Sequence, residues 1–496
     1  MSESTGTAYL AFDLGAESGR AVLGWLADDE LRLEEVHRFA NGPVRVGDSL
    51  HWDVLRLWSE VQRGLALAAA RAGDGLASLG VDTWGVDFGL LAADDSLLGN
   101  PHHYRDPRTD GMLEAAFAVT PRDEIYRQTG IQLMQLNTLY QLLAMVRADS
   151  PALASARHLL MMPDLLNFWL SGVKANEFTD ATTTQCYDPR GERWATGLLE
   201  RLGIPTGLFG DIVPPGTALG PLRPSVAADA HCPPVQVIAT ASHDTASAVA
   251  AVPAAATDYV YISSGTWSLM GIESPAPVIS DASLRANLTN EGGVAGTIRL
   301  LKYIMGMWLV QECRRAWAAE GKTYTYDALT ALAEAAPAFG PLINPSDARY
   351  LAPGEMPARI QAACRESDQS VPDTPGALVR CVLESLALEY RRVIDLIETI
   401  VSRPMTAVHI VGGGSRNRLL NQLTANATGR PVIAGPVEAT ATGNILVQAI
   451  ATGRLASLRE GRDLLRRIVE TTTYEPRDGA AWDAVYERYL GLVSDH

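Results

Sequence analysis

The stretch Asp258-Tyr-Val-Tyr-Ile-Ser-Ser-Gly-Thr-Trp-Ser-Leu-Met-Gly-Ile272 reads as an apolar strand, a small polar turn around Gly265 and an apolar return strand. The same plan occurs at the start of the chain. There, Ala8-Tyr-Leu-Ala-Phe-Asp-Leu14 reads as a buried strand, Gly15-Ala-Glu-Ser-Gly19 as a tight turn, and Arg20 leads into Ala21-Val-Leu-Gly-Trp-Leu26. An internal echo of this kind predicts two domains of similar architecture facing a shared cleft. The length agrees, since 496 residues are too many for one compact core. The Ala-rich segment up to Ala256, with Pro253 ending its helix, is the expected boundary, dividing the chain into residues 1–250 and 251–496.

Working outward, Leu31 to Phe39 reads as a third strand. Asp53 to Arg71 carries Leu57, Trp58, Val61, Leu65 and Ala68 at helical spacing, with Gly73 as a stop. Leu79 to Gly85 reads as a strand running on into Val86 to Ala92, and the Pro-rich stretch from Val213 to Pro224 as a surface connection. In the second half, Thr374-Pro375 opens a long helix reaching Ile400. After it come a strand, Ala407 to Val411, a glycine turn, Gly412 to Arg416, and a helix, Asn417 to Thr428.

Composition narrows the function classes. Hydrophobic residues make up 47% and charged residues 20%, the balance of an ordinary globular protein. A formal charge of -16 argues against a phosphate-tracking nucleic-acid surface, and no apolar window is long enough to span a membrane. The polar opening lacks a signal-peptide pattern, so a cytoplasmic location is expected. Five scattered cysteines without a Cys-x-x-Cys pair predict reduced thiols. A small-molecule enzyme, monomeric or homodimeric, is the expectation.

Four places carry candidate chemistry. In Ala239-Thr-Ala-Ser-His-Asp-Thr-Ala-Ser-Ala248, Asp244 follows a strand-like segment and opens an Ala-rich helix. It is either a base for a substrate hydroxyl, with a pKa that can stay low, or the cap of that helix, the commoner role for an isolated case. The loop after Asp13 can wrap phosphates with its amides while Asp13 holds hydrated magnesium, or it is a plain glycine hairpin. Trp84 and Gly85, with Arg105, Asp106 and Arg108, have the composition of a sugar site. Gly412-Gly-Gly414 between strand and helix allows close approach of a flat ligand or phosphate, though neither a P-loop nor a full dinucleotide fingerprint is present.

Together these segments resemble the FGGY family of carbohydrate kinases. The resemblance runs through Asp13-Leu-Gly-Ala-Glu-Ser-Gly-Arg20, His51-Trp-Asp53, Asp82-Thr-Trp-Gly-Val-Asp-Phe88, Tyr104-Arg-Asp106, Ser242-His-Asp-Thr245, Asn287-Leu-Thr-Asn-Glu-Gly-Gly293 and Val432-Ile-Ala-Gly-Pro-Val-Glu438. The Thr83 to Phe88 and Ser264 to Gly271 runs point within the family to kinases of L-rhamnulose. The resemblance implies an α/β protein of two actin-like (ribonuclease H-like) ATPase domains flanking a central cleft, and transfer of the ATP γ-phosphoryl group to the sugar's C1 hydroxyl. It makes Asp244 the base. It gives sugar contacts to Trp84, Gly85, Arg105, His243, Asp244 and Thr245, and ATP contacts to Ala16, Glu17, Ser18, Gly19, Arg20, Thr266, Gln311 and Gly413. Asp13 would lie near Mg2+, the sugar site and base in the first domain and the nucleotide site in the second. Tyr303 departs from the family pattern, which has a nucleotide-contacting Asn there. Related sugars (L-fuculose, D-xylulose) and an actin-like ATPase without sugar kinase activity are the competing expectations.

Overall fold

The computed structural model describes residues 6–493. The described residues form two compact units: 6–255, 273–300 and 439–468 in the first, and 256–272, 301–438 and 469–493 in the second. The segments 273–300 and 439–468 thus pack with the first unit, although they lie beyond the 250/251 division expected from sequence.

The first unit is built on a six-stranded sheet in the order Thr217–Pro221, Gln236–Ala239, Leu76–Thr83, Thr7–Leu14, Ser18–Leu26 and Leu31–Ala40. Thr7–Leu14 runs antiparallel to Ser18–Leu26 and parallel to Leu76–Thr83. Thr7–Leu14 and Leu76–Thr83 are buried along almost their whole length, so they read as near-continuous apolar runs rather than alternating ones. The helix Val54–Ala72 has Asp53 as its N-cap, accepting from the Arg56 N–H, and ends at Gly73. Its buried positions, Leu57, Val61, Leu65 and Ala68 among them, are those the 3.6-residue period marks.

The second unit repeats the plan. Tyr259–Ser264 pairs antiparallel with Ser268–Ser274 and parallel with Ala407–Val411, which is followed in the sheet by Val432–Ala434 and Thr472–Tyr474. The long helix spans Pro375–Val401, capped by Thr374.

Two expectations fail locally. Leu79 to Ala92 is not one continuous strand: Leu76–Thr83 stops, and a separate strand, Phe88–Leu91, pairs elsewhere with His158–Met161. Val86 sits between them at φ 69°, a left-handed conformation that a continuing strand cannot hold. The supposed surface connection from Val213 to Pro224 contains the edge strand Thr217–Pro221, paired with Gln236–Ala239. Proline and glycine mask it in the sequence, but Pro221 ends the strand and a register shift falls between Ala218 and Gly220.

Candidate active site

The register of the first sheet explains how its acidic residues meet. Asp13 lies directly opposite Arg20 on one neighbouring strand and Asp82 on the other, and directly opposed residues share a face of the sheet. Arg20 closes on Asp13 through Nε at 3.2 Å and Nη2 at 2.7 Å, both to Oδ2. Asp82 is fully buried; Asn444, on the helix Ala439–Ala451, donates to its Oδ2 at 2.6 Å. Its Oδ1 is buried with no hydrogen-bond partner among the described residues. Burial first, and then the charge of Asp13, pushes Asp82 well above the usual carboxylate range, against the pull of the Asn444 bond; Asp244 adds a further upward push.

Asp244 is not the helix cap. The helix Asp244–Ala250 has His243 at its N-cap position, and Asp244 is the first helical residue. Its Oδ1 accepts from the Thr245 hydroxyl at 3.1 Å and lies 3.5 Å from His243 Nε2, while 31% of the side-chain surface stays accessible. Burial pushes its pKa up, His243 pulls it down, and Asp13 pushes it up again. Sequence reading allowed the pKa to stay low; the fold raises it, because burial and the nearby Asp13 charge together outweigh the pull of His243.

Behind Asp244, His243 is buried between two charged residues that the sequence reading did not single out. Its Nδ1 lies 3.1 Å from Arg299 Nη2 and 3.3 Å from Glu291 Oε2, and those two are themselves 3.1 Å apart. The loop is held from its other side, where Ser242 N–H donates to Glu177 Oε2 at 3.0 Å and His243 N–H to Thr179 Oγ1 at 3.1 Å.

The Trp84–Gly85 turn sits beside an aromatic stack. Trp84 is buried, with its ring centroid 3.9 Å from that of Trp52, and both indole N–H groups donate to Asp87 Oδ2. Gly85 backs onto Thr183, whose atoms would lie about 3.0 Å from an added Cβ, so a side chain there would have to push Thr183 aside. Arg105 lies over the Tyr104 ring at 5.3 Å. Thr245 is buried beside Asp244.

Of the predicted nucleotide residues, the loop of Ala16, Glu17, Ser18, Gly19 and Arg20 belongs to the first unit and Thr266, Gln311 and Gly413 to the second. The loop is pinned by Gly15 N–H to Ser18 O and by Asn41 to the carbonyls of Gly15 and Glu17. Gly19 is required by packing, since a Cβ would run into the Phe39 ring and Leu14. In the second unit, the Thr266 carbonyl accepts from Trp308 N–H at 3.0 Å, so the hairpin turn rests on the start of the helix Trp308–Ala319, which carries Gln311. Gln311 Oε1 is buried without a hydrogen-bond partner among the described residues. Gly412 and Gly414 press onto Ser264, but the Cβ direction of Gly413 is open. Tyr303 packs its ring edgewise against Trp267 at 6.1 Å.

The arrangement offers a carboxylate base at a helix start and an acidic sheet face with one unsatisfied oxygen. Among the described residues no group of three or more His, Cys, Asp or Glu side chains is arranged to cage a metal ion. The donor set nevertheless fits hydrated Mg2+, which needs one or two carboxylates and keeps several waters, and the orphaned Asp82 Oδ1 beside Asp13 supplies such a donor. No described helix is long and apolar enough to cross a membrane.

Residues 8–251 match the N-terminal domain model of the FGGY family of carbohydrate kinases, and residues 260–452 match the C-terminal one. A rhamnulokinase of Bacteroides thetaiotaomicron is 46% identical over 98% of this chain and 99% of its own length. One from Oceanobacillus iheyensis is 41% identical, covering 94% and 97%. Among solved structures, a ligand-bound xylulose kinase of Lactobacillus acidophilus superposes with a TM-score of 0.82 at 17% identity over 98% of this chain and 97% of the other. Plasmodium falciparum glycerol kinase with ADP does so with 0.76 at 14%, over 99% and 98%. At those identities the likeness shows the fold: two actin-like, ribonuclease H-like domains.

Proposed function

The chain belongs to the FGGY family of carbohydrate kinases, and from that premise we propose that it transfers the γ-phosphoryl group of ATP to the C1 hydroxyl of L-rhamnulose. The product is L-rhamnulose 1-phosphate, within L-rhamnose catabolism in the cytoplasm. The chemistry is carried by one observation: Asp244 opens its helix without capping it and stands beside the aligned Asp13 and Asp82. The choice of sugar is supported by the two relatives named rhamnulokinase, which match at 41% identity or more over nearly the whole chain.

In this reading Asp244 takes the C1 hydroxyl proton as the oxygen attacks the γ-phosphorus in line, and the raised pKa makes it a stronger base near neutral pH. His243, Thr245, Gly85 and Arg105 hold the sugar, and buried Trp84 shapes the wall of that site. Ala16, Glu17, Ser18 and Gly19 present the loop backbone to the phosphates, with Arg20 adding positive charge. Thr266, Gln311 and Gly413 hold the rest of the nucleotide, the unsatisfied Gln311 Oε1 accepting from it. Asp13 and Asp82 would hold Mg2+, which when bound neutralises charge building on the phosphoryl oxygens.

ADP release with Mg-ATP, compared across L-rhamnulose, L-fuculose, D-xylulose, D-ribulose and glycerol, tests the proposal. Strong preference for L-rhamnulose is expected. Preference for another sugar moves the specificity, and turnover that ignores sugar returns the actin-like ATPase reading.

A further inference from the structure

Arg299 is fully buried, and its Nη2 reaches His243 Nδ1 at 3.1 Å while its Nε donates to the Gly292 carbonyl at 2.8 Å. A guanidinium has donors only, so in this contact Nδ1 must accept. An imidazole nitrogen that accepts carries no proton, which places the proton of the neutral ring on Nε2. Nε2 is the nitrogen that faces Asp244, 3.5 Å from Oδ1. Glu291 Oε2 lies 3.3 Å from the same Nδ1. With Arg299 removed, that carboxylate would draw the proton to Nδ1 and turn the Nε2 lone pair toward Asp244.

We propose that Arg299, braced by Glu291, is a positioning residue that fixes the tautomer of His243 and thereby aims an N–H at the base. The inference rests on Asp244 being that base. Asp244 Oδ1 then accepts from the Thr245 hydroxyl and has the His243 Nε2–H pointed toward it from 3.5 Å. Oδ2 is the oxygen that takes the sugar proton. Arg299 itself need touch neither sugar nor nucleotide; its effect passes through the ring it orients. The sequence separation of 56 residues between Arg299 and His243 is bridged only by the fold.

The test is long-range 1H–15N spectroscopy on protein carrying 15N-histidine. The chain has nine histidines, and the His243 signals are identified by their loss in His243→Gln. The expected result is Nε2–H, unprotonated Nδ1 in the native protein, and Nδ1–H in Arg299→Met, with kcat falling about 10- to 100-fold because the base is misaligned and the KM for ATP unchanged. Nδ1–H in the native protein overturns the inference, as does an unchanged tautomer in folded Arg299→Met. Should Arg299→Met not fold, Glu291→Gln serves: Arg299 remains, so Nε2–H is expected, and Nδ1–H there overturns the inference. Native protein without sugar-dependent ADP release would sink the kinase reading instead, leaving the tautomer to be decided by the spectrum alone.

Discussion

Asp82 and Asp87 lie five residues apart, both are fully buried, and they live in opposite electrostatic worlds. Asp87 is a hub. Its Oδ2 accepts from Trp52 Nε1, Trp84 Nε1 and the Tyr104 N–H, and its Oδ1 from Gln141 Nε2. Burial raises its pKa and the bonds from Trp52, Gln141 and Trp84 pull it down, leaving it at about 6. Among the described residues Asp82 has a single donor, Asn444, and faces Asp13 and Asp244 with one oxygen unsatisfied. A buried carboxylate surrounded by donors organises structure. One left unsatisfied among like charges is destabilising, and is retained where a cation and phosphates are to be bound.

That contrast can be broken by measurement. The largest effect belongs to the base beside Asp82: Asp244→Asn should lower kcat by about 10² to 10⁴ while ATP affinity holds. Near-native turnover would remove Asp244 from the chemistry. Next, Asp82→Asn should lower turnover by about a hundredfold, the scale of one lost electrostatic contact in a phosphoryl-transfer site. The same change should raise the thermal unfolding midpoint, since it removes a buried charge repelled by its neighbours. A fall in both would make Asp82 a structural residue like Asp87.

Asp87→Ala should behave in the opposite sense, costing about 2 kcal/mol through the donors it strands, read as a lower midpoint in urea. The last effect is its pH dependence. A carboxylate whose folded pKa is raised contributes stability below its unfolded value, and that contribution is lost as pH rises through the folded one. For Asp87 the window runs from the usual 3.8 to about 6. The stabilities of the native protein and Asp87→Ala, from urea unfolding at both ends of that window, should therefore converge as pH rises, by about 2 kcal/mol. Parallel curves would show that the four donors offset burial completely.

Much of the site was legible locally. Asp13 ends an apolar strand before a glycine turn, Asp244 stands in a run of small residues, and Gly412 to Gly414 separate a strand from a helix. Asp82 was missed as a site residue although it carries the same signal as Asp13, an acid late in a buried strand, within Leu79-Gly-Val-Asp82. Arg299 and Asn444 carried no such signal, and Glu291 entered only as part of the Asn287 to Gly293 run. Glu291 and Arg299 meet His243 at separations of 48 and 56, and Asn444 meets Asp82 at 362. The edge strand Thr217–Pro221 was hidden by its glycine and prolines, residues that read as loop until a neighbouring strand pairs with them.

The sequence by itself determined the repeated hairpin plan and the long helix from Pro375, because these depend on period, turn chemistry and short motifs. Only the tertiary structure decided that residues 273–300 and 439–468 return to the first unit, that Asp244 is not a cap, and that its pKa is raised rather than low. The reason is physical: strand register and burial set which charges face one another, and these are properties of neighbours that the chain brings together only on folding.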